Sequence, residues 1–220
     1  MKKLHLLLLL ALPLISSAQE EIKYGINAGP TFSAIRGDGY AKDFGYATGY
    51  LAGITMEKPL NQRFSLCAAI NYENKRSTKK TSYNYTETII GPDGTGIDQT
   101  VTGSSKITTS LDYISVPVTI KYYLDIYESY YVTGGGFIAY AFNDSYTIKG
   151  DKPMNTYIQD YKALDYGISL SFGTKFKLTR WQYLNIEVRD NFGVANITSI
   201  DSDKITTNSI NLIANWQFTL

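Results

Sequence analysis

Apolar and polar residues alternate one by one along most of this chain. From Tyr24 to Phe32 every second residue is apolar, and the residues between them are polar or glycine. A repeat of two residues is typical of a β-strand with one face in an apolar environment and the other in a polar one. Eight such runs can be counted, at 22–34, 46–57, 63–73, 114–124, 130–142, 164–176, 183–194 and 207–220.

The segments between the runs alternate in length. Those after runs two, four and six are short turns, whereas those after runs one, three, five and seven are long. The longest, residues 75–106, is polar without a repeat of two and predicts a large exposed loop; a second long loop is predicted at 143–161. Brief turns at one end and extended loops at the other are typical of outer-membrane barrels. The pattern predicts an all-β fold, an eight-stranded antiparallel up-and-down transmembrane β-barrel.

The polar face of the runs bears on where the barrel lies. A soluble ligand-carrying barrel also has one apolar face, which points inward, and its outer wall should be rich in Lys, Glu and Thr. Here the polar face carries many Gly, Ser and Ala residues, which suit a cramped lumen. We therefore expect Ile114, Val116, Ile168 and Leu212 to face lipid. The soluble carrier remains the alternative, and it would dissolve without detergent.

Six charged residues share the parity of the small residues and are the candidate site. We expect them to form ion pairs inside the barrel, because burying one charge alone costs several kcal/mol. The structural interpretation is a static polar plug, and the functional one is a path for protons or a solute. The six residues are Glu57, Glu73, Lys121, Lys175, Glu187 and Arg189.

Aromatic residues flank two of the short turns, and one acidic residue breaks the alternation. Rings with a polar edge favour the membrane boundary, so we expect a boundary position for Tyr122, Tyr123, Tyr130 and Tyr131, and for Trp181 and Tyr183. Asp190 has the parity of the lipid-facing residues. A β-bulge or a strand end at that point would account for it.

The N-terminus predicts an exported protein. Lys2 and Lys3 precede an apolar run, and Ser16–Ala18 form a small-x-small cleavage pattern, so we expect residues 1–18 to be a signal peptide and 19–220 to be one barrel domain. Removing the leader changes the formal net charge from +1 to −1, and no attraction to nucleic acid follows. Cys67, as the single cysteine, cannot form an intramolecular disulfide.

The residue inventory argues against catalysis. The only histidine, His5, falls in the predicted leader, so Ser-His and Cys-His nucleophiles and a zinc site are excluded from the mature protein. We predict no enzyme, no cofactor and no metal.

The basic segment 75–80 follows run three, where lipopolysaccharide phosphates would be close. Contact with those phosphates is one interpretation, and a solvated loop is the other.

Residues 111–123, LDYISVPVTIKYY, resemble the Y-L-x-I-P-x-x-x-K-Y segment of the PorT-like outer membrane β-barrel domain family, often labelled porin family proteins. The glycines 134–136 and the segments 24–29, 165–167 and 187–197 are similar to other strands of that family. The resemblance implies an OmpA/OmpX-like barrel in the cell outer membrane of a Gram-negative bacterium. Its surroundings would be outer-membrane lipid and lipopolysaccharide, and the assembly machinery would recognise the C-terminal strand through Trp216 and Phe218.

Several functions are compatible with such a barrel. The leading hypothesis is a non-enzymatic structural, adhesive or partner-binding role through the long external loops, with a protein as the partner. The alternatives are a narrow pore or transporter, or a component of an outer-membrane protein secretion system. An enzyme acting on membrane lipid is disfavoured because the predicted mature chain contains no histidine.

Overall fold

A computed structural model of the protein describes residues 21–90, 92, 94–150, 161–199 and 203–219. The predicted signal peptide lies outside the described residues. Eight antiparallel strands form one closed barrel in which each strand pairs with its neighbours in sequence and β8 pairs with β1. The prediction of an eight-stranded up-and-down barrel is confirmed. The strands are β1 (Lys23–Gly37), β2 (Gly45–Pro59), β3 (Phe64–Ile90), β4 (Gly96–Tyr123), β5 (Tyr130–Gly150), β6 (Leu164–Lys177), β7 (Gln182–Gly193) and β8 (Ile205–Thr219).

The apolar face of the strands lies outside the barrel. Ile114 is 42% exposed, Ile168 51% and Leu212 45%, and Val116 is half-buried. A soluble ligand carrier would hold these side chains inside, so that interpretation is wrong. A short 3₁₀ helix (Gly39–Asp43) follows β1. Within the described part of the chain, no helix has the length and apolar character needed to cross a membrane.

The glycines 134–136 in β5 differ in what their positions require. A Cβ atom added at Gly135 would lie 2.2 Å from the carbonyl oxygen of Val118 on β4, whereas one at Gly134 would meet only a Leu170 methyl at 3.6 Å. Gly135 therefore permits a close approach of two strands inside the barrel wall. Gly134, on the outward face, has room for a side chain.

The prediction of a large loop at 75–106 is wrong. β3 and β4 stay paired from Phe64 and Tyr122 to Ile90 and Gly96, and β5 extends along β4 to Gly150. Residues 79–90 and 96–107, which we call the β3–β4 hairpin, continue beyond the pairing of β2 with β3, which ends at Thr78. One face of the hairpin carries Lys and hydroxyl side chains, and the other carries Tyr83, Tyr85, Val101 and Ile107 among polar residues such as Glu87 and Gln99. Because the apolar residues of this second face are interrupted by polar ones, the sequence lacks a regular repeat although the backbone is extended.

An irregularity in the pairing of β4 with β5 changes which residues face outward. The register shifts between Asp112 and Tyr113, and beyond it the odd-numbered residues of β5 lie opposite the even-numbered, outward-facing residues of β4. Accordingly, the Asn143 side chain donates a hydrogen bond to Asp112 at 2.8 Å. Residues 143–150 belong to the strand, so the predicted loop at 143–161 is wrong for this part, and residues 151–160 lie outside the described residues.

Asp190 points outward without a β-bulge, so the bulge is wrong and the position near the end of the strand is the explanation that remains. It pairs regularly with Leu170 on β6 and Ile210 on β8, three residues before the end of β7. The Asn208 side chain donates a hydrogen bond of 2.5 Å to its carboxylate. An amide neighbour at the strand's outer end thus satisfies a charge that would otherwise face the apolar surroundings.

The four tyrosines around the β4–β5 turn divide between the two faces of the wall. Tyr122 and Tyr130 lie outside, Tyr130 with 53% of its surface exposed, as expected for boundary residues. Tyr123 and Tyr131 lie inside and are buried, which contradicts the expectation for these two. Strand alternation decides the outcome, since the two inner tyrosines share the parity of the lumen.

Candidate functional site

Glu57 forms the centre of a polar cluster inside the barrel, near the end that carries the short turns (the turn end). It is completely buried, and its carboxylate lies 2.5 Å from the Lys121 ammonium group. The Tyr123 hydroxyl donates to it at 2.7 Å and the Gln217 amide at 3.2 Å. Lys23 approaches within 3.8 Å. Strands β1, β2, β4 and β8 therefore share one carboxylate, and these contacts offset the desolvation of its charge.

Glu187 and Arg189 form a second buried pair on β7. Being two residues apart, they face the same side of the strand, and the Arg189 guanidinium lies 2.6 Å from the Glu187 carboxylate. The Tyr131 hydroxyl on β5 donates to the other carboxylate oxygen at 3.1 Å. A small cavity of about 30 Å³ lies beside this pair and is lined in part by Cys67. The cavity has room for about one water molecule.

Lys175 finds its partner outside the predicted set. Its ammonium group lies 2.5 Å from Glu128 in the β4–β5 turn and 3.3 Å from the Tyr123 hydroxyl. Glu128 has a φ of 56°, an uncommon value for a residue other than glycine. The pair therefore lies at the mouth of the turn end, and sequence parity alone could not reveal a partner in a turn.

Glu73 is buried and does not form the predicted ion pair. The Ser209 hydroxyl donates to its carboxylate at 2.7 Å, and within the described residues no cationic group lies within 4.0 Å of it. The expectation that all six charged residues pair with one another is thus wrong for Glu73. The expectation is also wrong for Lys175, whose partner is in a turn.

A third buried ion pair was not predicted. Lys75 of β3 lies 3.0 Å from Asp165 of β6, and both side chains are buried. The Thr207 hydroxyl donates to Asp165 at 2.7 Å, and the ammonium group lies 4.8 Å from the ring centre of Tyr113. The sequence carries a signal for this pair, because Lys75 continues the inward parity of Glu73. Assigning residue 75 to a loop concealed it.

An apolar cluster closes the opposite end of the lumen, which carries the β3–β4 hairpin (the hairpin end). It combines inward-facing residues of β1, β4, β5 and β8 with residues of the 3₁₀ segment and of the connection after β7. Their burial places an apolar layer across the lumen beyond the Lys75–Asp165 pair. The buried members are Ile35, Ala41, Phe44, Leu111, Tyr113, Phe137, Ala139, Ala195, Ile197 and Ile205.

The interior is therefore built in layers. From the turn end, the two carboxylate clusters come first, then hydroxyl and amide side chains, then the Lys75–Asp165 pair and finally the apolar cluster. Within the described ranges, no group of three or more His, Cys, Asp or Glu side chains could hold a metal ion. The buried ion pairs and hydrogen bonds join different strands across the lumen, so they can hold the barrel wall together.

The comparison with protein-family models agrees with the barrel architecture. The model of a family described as outer membrane protein beta-barrel domain matches residues 17–199. Among solved structures, Ail, the attachment invasion locus protein of Yersinia pestis, is 12% identical over 90% of this chain and 100% of its own, with a TM-score of 0.39. Neisserial surface protein A is 13% identical over 91% and 100%, with a TM-score of 0.43.

OprG from Pseudomonas aeruginosa is 13% identical over 91% of this chain and 98% of its own, with a TM-score of 0.41. A search of curated proteins finds no match to the sequence.

Proposed function

Because this chain belongs to the outer membrane protein beta-barrel domain family, we propose that it is a non-enzymatic barrel with a structural, adhesive or partner-binding role, exercised through the β3–β4 hairpin. The protein lies in the outer membrane of a Gram-negative bacterium. Its apolar outer face is of the kind that contacts lipid in such barrels. The observation that carries the proposal is a filled lumen combined with a long, ordered hairpin.

The filled lumen favours a role that does not involve transport. Two charged clusters occupy the turn end, and the apolar cluster around Phe44 and Ile197 occupies the hairpin end. An eight-stranded barrel is just wide enough for its own side chains. A pore or transporter, the alternative function, would require a continuous polar path past both regions.

The hairpin has the properties of a binding element. Its two strands of about 12 residues would extend roughly 40 Å if straight, at about 3.4 Å per residue. Within the described strands, residues 79–90 pair only with β4, so one edge of β3 presents unpaired backbone groups. Such an edge can accept an extended segment of a partner as an added strand. A protein partner at this hairpin is therefore part of the proposal.

Other proposed contacts follow from the position in the membrane. Outer-membrane lipid would cover the apolar face, with lipopolysaccharide around its outer part, and the assembly machinery would recognise β8 through the outward-facing Trp216 and Phe218. Membership of the PorT-like subfamily, suggested by residues 111–123, would add a role in protein secretion. Deleting the protein should then abolish export of a secreted reporter, whereas the adhesive role predicts unchanged export.

The proposal is tested on cells that carry the protein. Proteinase K added to intact cells should cut near the hairpin turn, around residues 90–96, and leave the barrel uncut. Trypsin should be slow, because residues 81–105 contain no Lys or Arg. A variant with residues 82–104 replaced by Asn-Gly should reduce cell–cell aggregation and attachment to polystyrene.

The matched control is the wild-type barrel at the same surface level, with folding of both proteins verified by the difference in electrophoretic migration between unheated and heated samples. Equal attachment of cells with the full and the shortened hairpin, or a hairpin that proteinase K does not reach on intact cells, would contradict the proposal.

A further inference from the structure

Three lysines form a row across the base of the β3–β4 hairpin. Lys80 of β3 lies directly opposite Lys106 of β4, and Lys106 lies directly opposite Lys149 of β5. Directly opposed residues on one face of an antiparallel sheet have Cβ atoms about 4.5–5.5 Å apart, and like charges so placed repel each other. All three side chains are exposed. Two consecutive repulsive pairs would be relieved by an anion bound across the row.

The row faces the surroundings of the barrel. Lys80 and Lys106 have the parity of the outward-facing residues of β3 and β4, and the register shift at Asp112 gives Lys149 the same direction. The contact of 3.4 Å between the Thr78 and Thr108 hydroxyls, one step closer to the barrel, is consistent with this shared face. The lysines thus continue the face that contacts lipid lower down.

No carboxylate neutralises the row within the described residues. The nearest one on the same face of β4 is Asp112, which accepts hydrogen bonds from Tyr72, Asn74 and Asn143. Towards the tip, Asp98 accepts a hydrogen bond from Thr88. Between these levels the face carries Arg76 and the three lysines among hydroxyl groups, a composition that suits phosphorylated sugars. The hydroxyl residues are Thr78, Ser82, Thr86, Thr100, Thr102, Ser104, Thr108, Ser110, Ser145 and Thr147.

The height of the row limits what it can reach. Tyr72 and Asp112 lie at the outer aromatic level of the wall, and Tyr50 stacks on Tyr72 with ring centres 5.4 Å apart. Lys106 lies six residues from Asp112 on β4, towards the tip of the hairpin, which is a distance of roughly 20 Å along the strand. With a strand tilt of about 40° this becomes roughly 15 Å above that level. Phospholipid headgroups form a layer of only about 5–8 Å, so the row lies above them.

We propose that Lys80, Lys106 and Lys149 form a binding site for phosphate groups on the saccharide part of a glycolipid in the outer leaflet. The inference deepens the lipopolysaccharide contact proposed above and rests on it. It replaces the predicted contact of the segment 75–80, since Lys75 is buried with Asp165 and Lys79 pairs with Asp43 at 3.1 Å. The site holds the base of the hairpin against the membrane surface.

Acetylation of lysines in the intact wild-type protein tests the site. The protein is placed in nanodiscs of phosphatidylcholine alone, of phosphatidylcholine with lipopolysaccharide that carries a phosphorylated core, or with the same lipopolysaccharide after enzymatic removal of its phosphates. We expect the phosphorylated form alone to slow acetylation of Lys80, Lys106 and Lys149 at least about fivefold, the effect of roughly 1 kcal/mol per lysine at an anionic surface. Lys42 and Lys204, exposed at the same end, should change less than twofold.

A fourth sample distinguishes lipid-borne from free phosphate. Phosphatidylcholine discs receive the free phosphorylated core oligosaccharide, and we expect no protection at the same concentration. Equal protection in this sample, equal protection of Lys42 and Lys204, or no protection in any disc would overturn the proposal. If proteinase K still reaches the hairpin on intact cells, such a result removes this site and leaves the proposed function standing.

A pair of triple variants supplies the second measurement. K80T/K106T/K149T should retain roughly 100-fold less lipopolysaccharide after purification in mild detergent. K42T/K162T/K204T changes the net charge equally at the same end and should retain the wild-type amount. The first variant should also unfold at an equal or higher temperature, because it removes two repulsive pairs. Equal retention by both variants contradicts the site.

Discussion

The buried contact between Glu57 and Lys121 is the ion pair whose removal should be most costly. Replacing Lys121 by Met leaves Glu57 buried with only the Tyr123 and Gln217 donors and the more distant Lys23. We expect the free energy of unfolding to fall by about 3–5 kcal/mol, because an uncompensated charge remains in the lumen. Urea unfolding in lipid vesicles measures the change.

Two further variants separate charge from packing. Lys80→Met, at an exposed position, should change the free energy of unfolding by less than about 0.5 kcal/mol. The double variant Glu57→Gln, Lys121→Met should be more stable than Lys121→Met alone, because a neutral amide oxygen still accepts from Tyr123. A double variant that is less stable than the single one would show that the pair does not act through charge.

Neighbouring glycines in β5 offer a matched test of wall packing. Gly135→Ala should lower the free energy of unfolding by about 1–3 kcal/mol, because the new Cβ would meet the Val118 carbonyl oxygen at 2.2 Å. Gly134→Ala should be neutral or stabilising by about 0.5 kcal/mol, since the outward position is open. Thermal unfolding of the two variants side by side measures the difference. Equal losses would mean that the two strands can separate to admit a methyl group.

Asp125 in the β4–β5 turn has a carboxylate held by backbone N–H groups. Donation from Tyr130 at 2.9 Å and from Ser129 at 2.8 Å lowers its pKa below the usual 3.8. The folded state thus binds a proton less readily than the unfolded state. The contribution to stability is present above about pH 4 and is lost as the pH falls through the folded pKa.

NMR titration of the Asp125 carboxyl carbon should give a pKa below 3.8. In the Asp125→Asn variant, this part of the acid dependence of unfolding should disappear. A measured pKa at or above the usual value would show that the turn does not hold the carboxylate in solution.

The β3–β4 hairpin should contribute little to the stability of the barrel, although it contains the longest strands. Beyond Thr78, in the part of the chain that the structure describes, its strands pair only with each other and with the end of β5, and Lys79 adds one ion pair with Asp43. Replacing residues 82–104 by Asn-Gly should therefore change the free energy of unfolding by less than about 1 kcal/mol. Urea unfolding compares the shortened and full proteins. A large loss would indicate that the hairpin folds back on the barrel.

The strands that could be predicted from the sequence are those with two different environments. Ile114 and Val116 against Ser115 and Pro117 reveal the wall, because lipid and lumen select opposite residues. Residues 79–90 and 96–107 have no lumen and no lipid to separate their faces, so apolar residues such as Tyr85 and Val101 are interrupted by polar ones and the repeat is irregular. Lys75 was concealed because its outward-facing neighbours Asn74 and Arg76 are also polar, which removes the contrast within the wall itself.

Two of the buried ion pairs were predictable because both members lie on strands that the apolar repeat marks, whereas Lys75 with Asp165 lies partly in a segment without the repeat. Glu57 with Lys121 and Glu187 with Arg189 follow from parity. The partner of Lys175 does not, because Glu128 lies in a turn whose backbone direction the repeat does not define. The apolar cluster at the hairpin end was missed for a related reason, since Phe44 and Ile197 come from connections.

At the scale of the whole molecule, the lumen is obstructed twice in series. The turn end is filled by charged side chains around Glu57 and Glu187, and the hairpin end by the apolar cluster that contains Phe44 and Ile197. A permeating ion would have to displace fixed charges at one end and cross an apolar layer at the other. Each obstruction alone is sufficient to prevent steady conduction, because resistances in series add.

The purified wild-type barrel should therefore show no steady conductance in a planar bilayer. Opening the hairpin end with Phe44→Ala and Ile197→Ser should leave it closed, and so should Glu187→Gln with Arg189→Gln at the turn end. Combining these four substitutions with Glu57→Ala and Lys121→Ala, which clear the other charged cluster of the turn end, should produce a small current, because side chains rather than the wall close the lumen. A steady wild-type current that Glu187→Gln abolishes would instead support the pore, since a conducting path would then depend on the carboxylate.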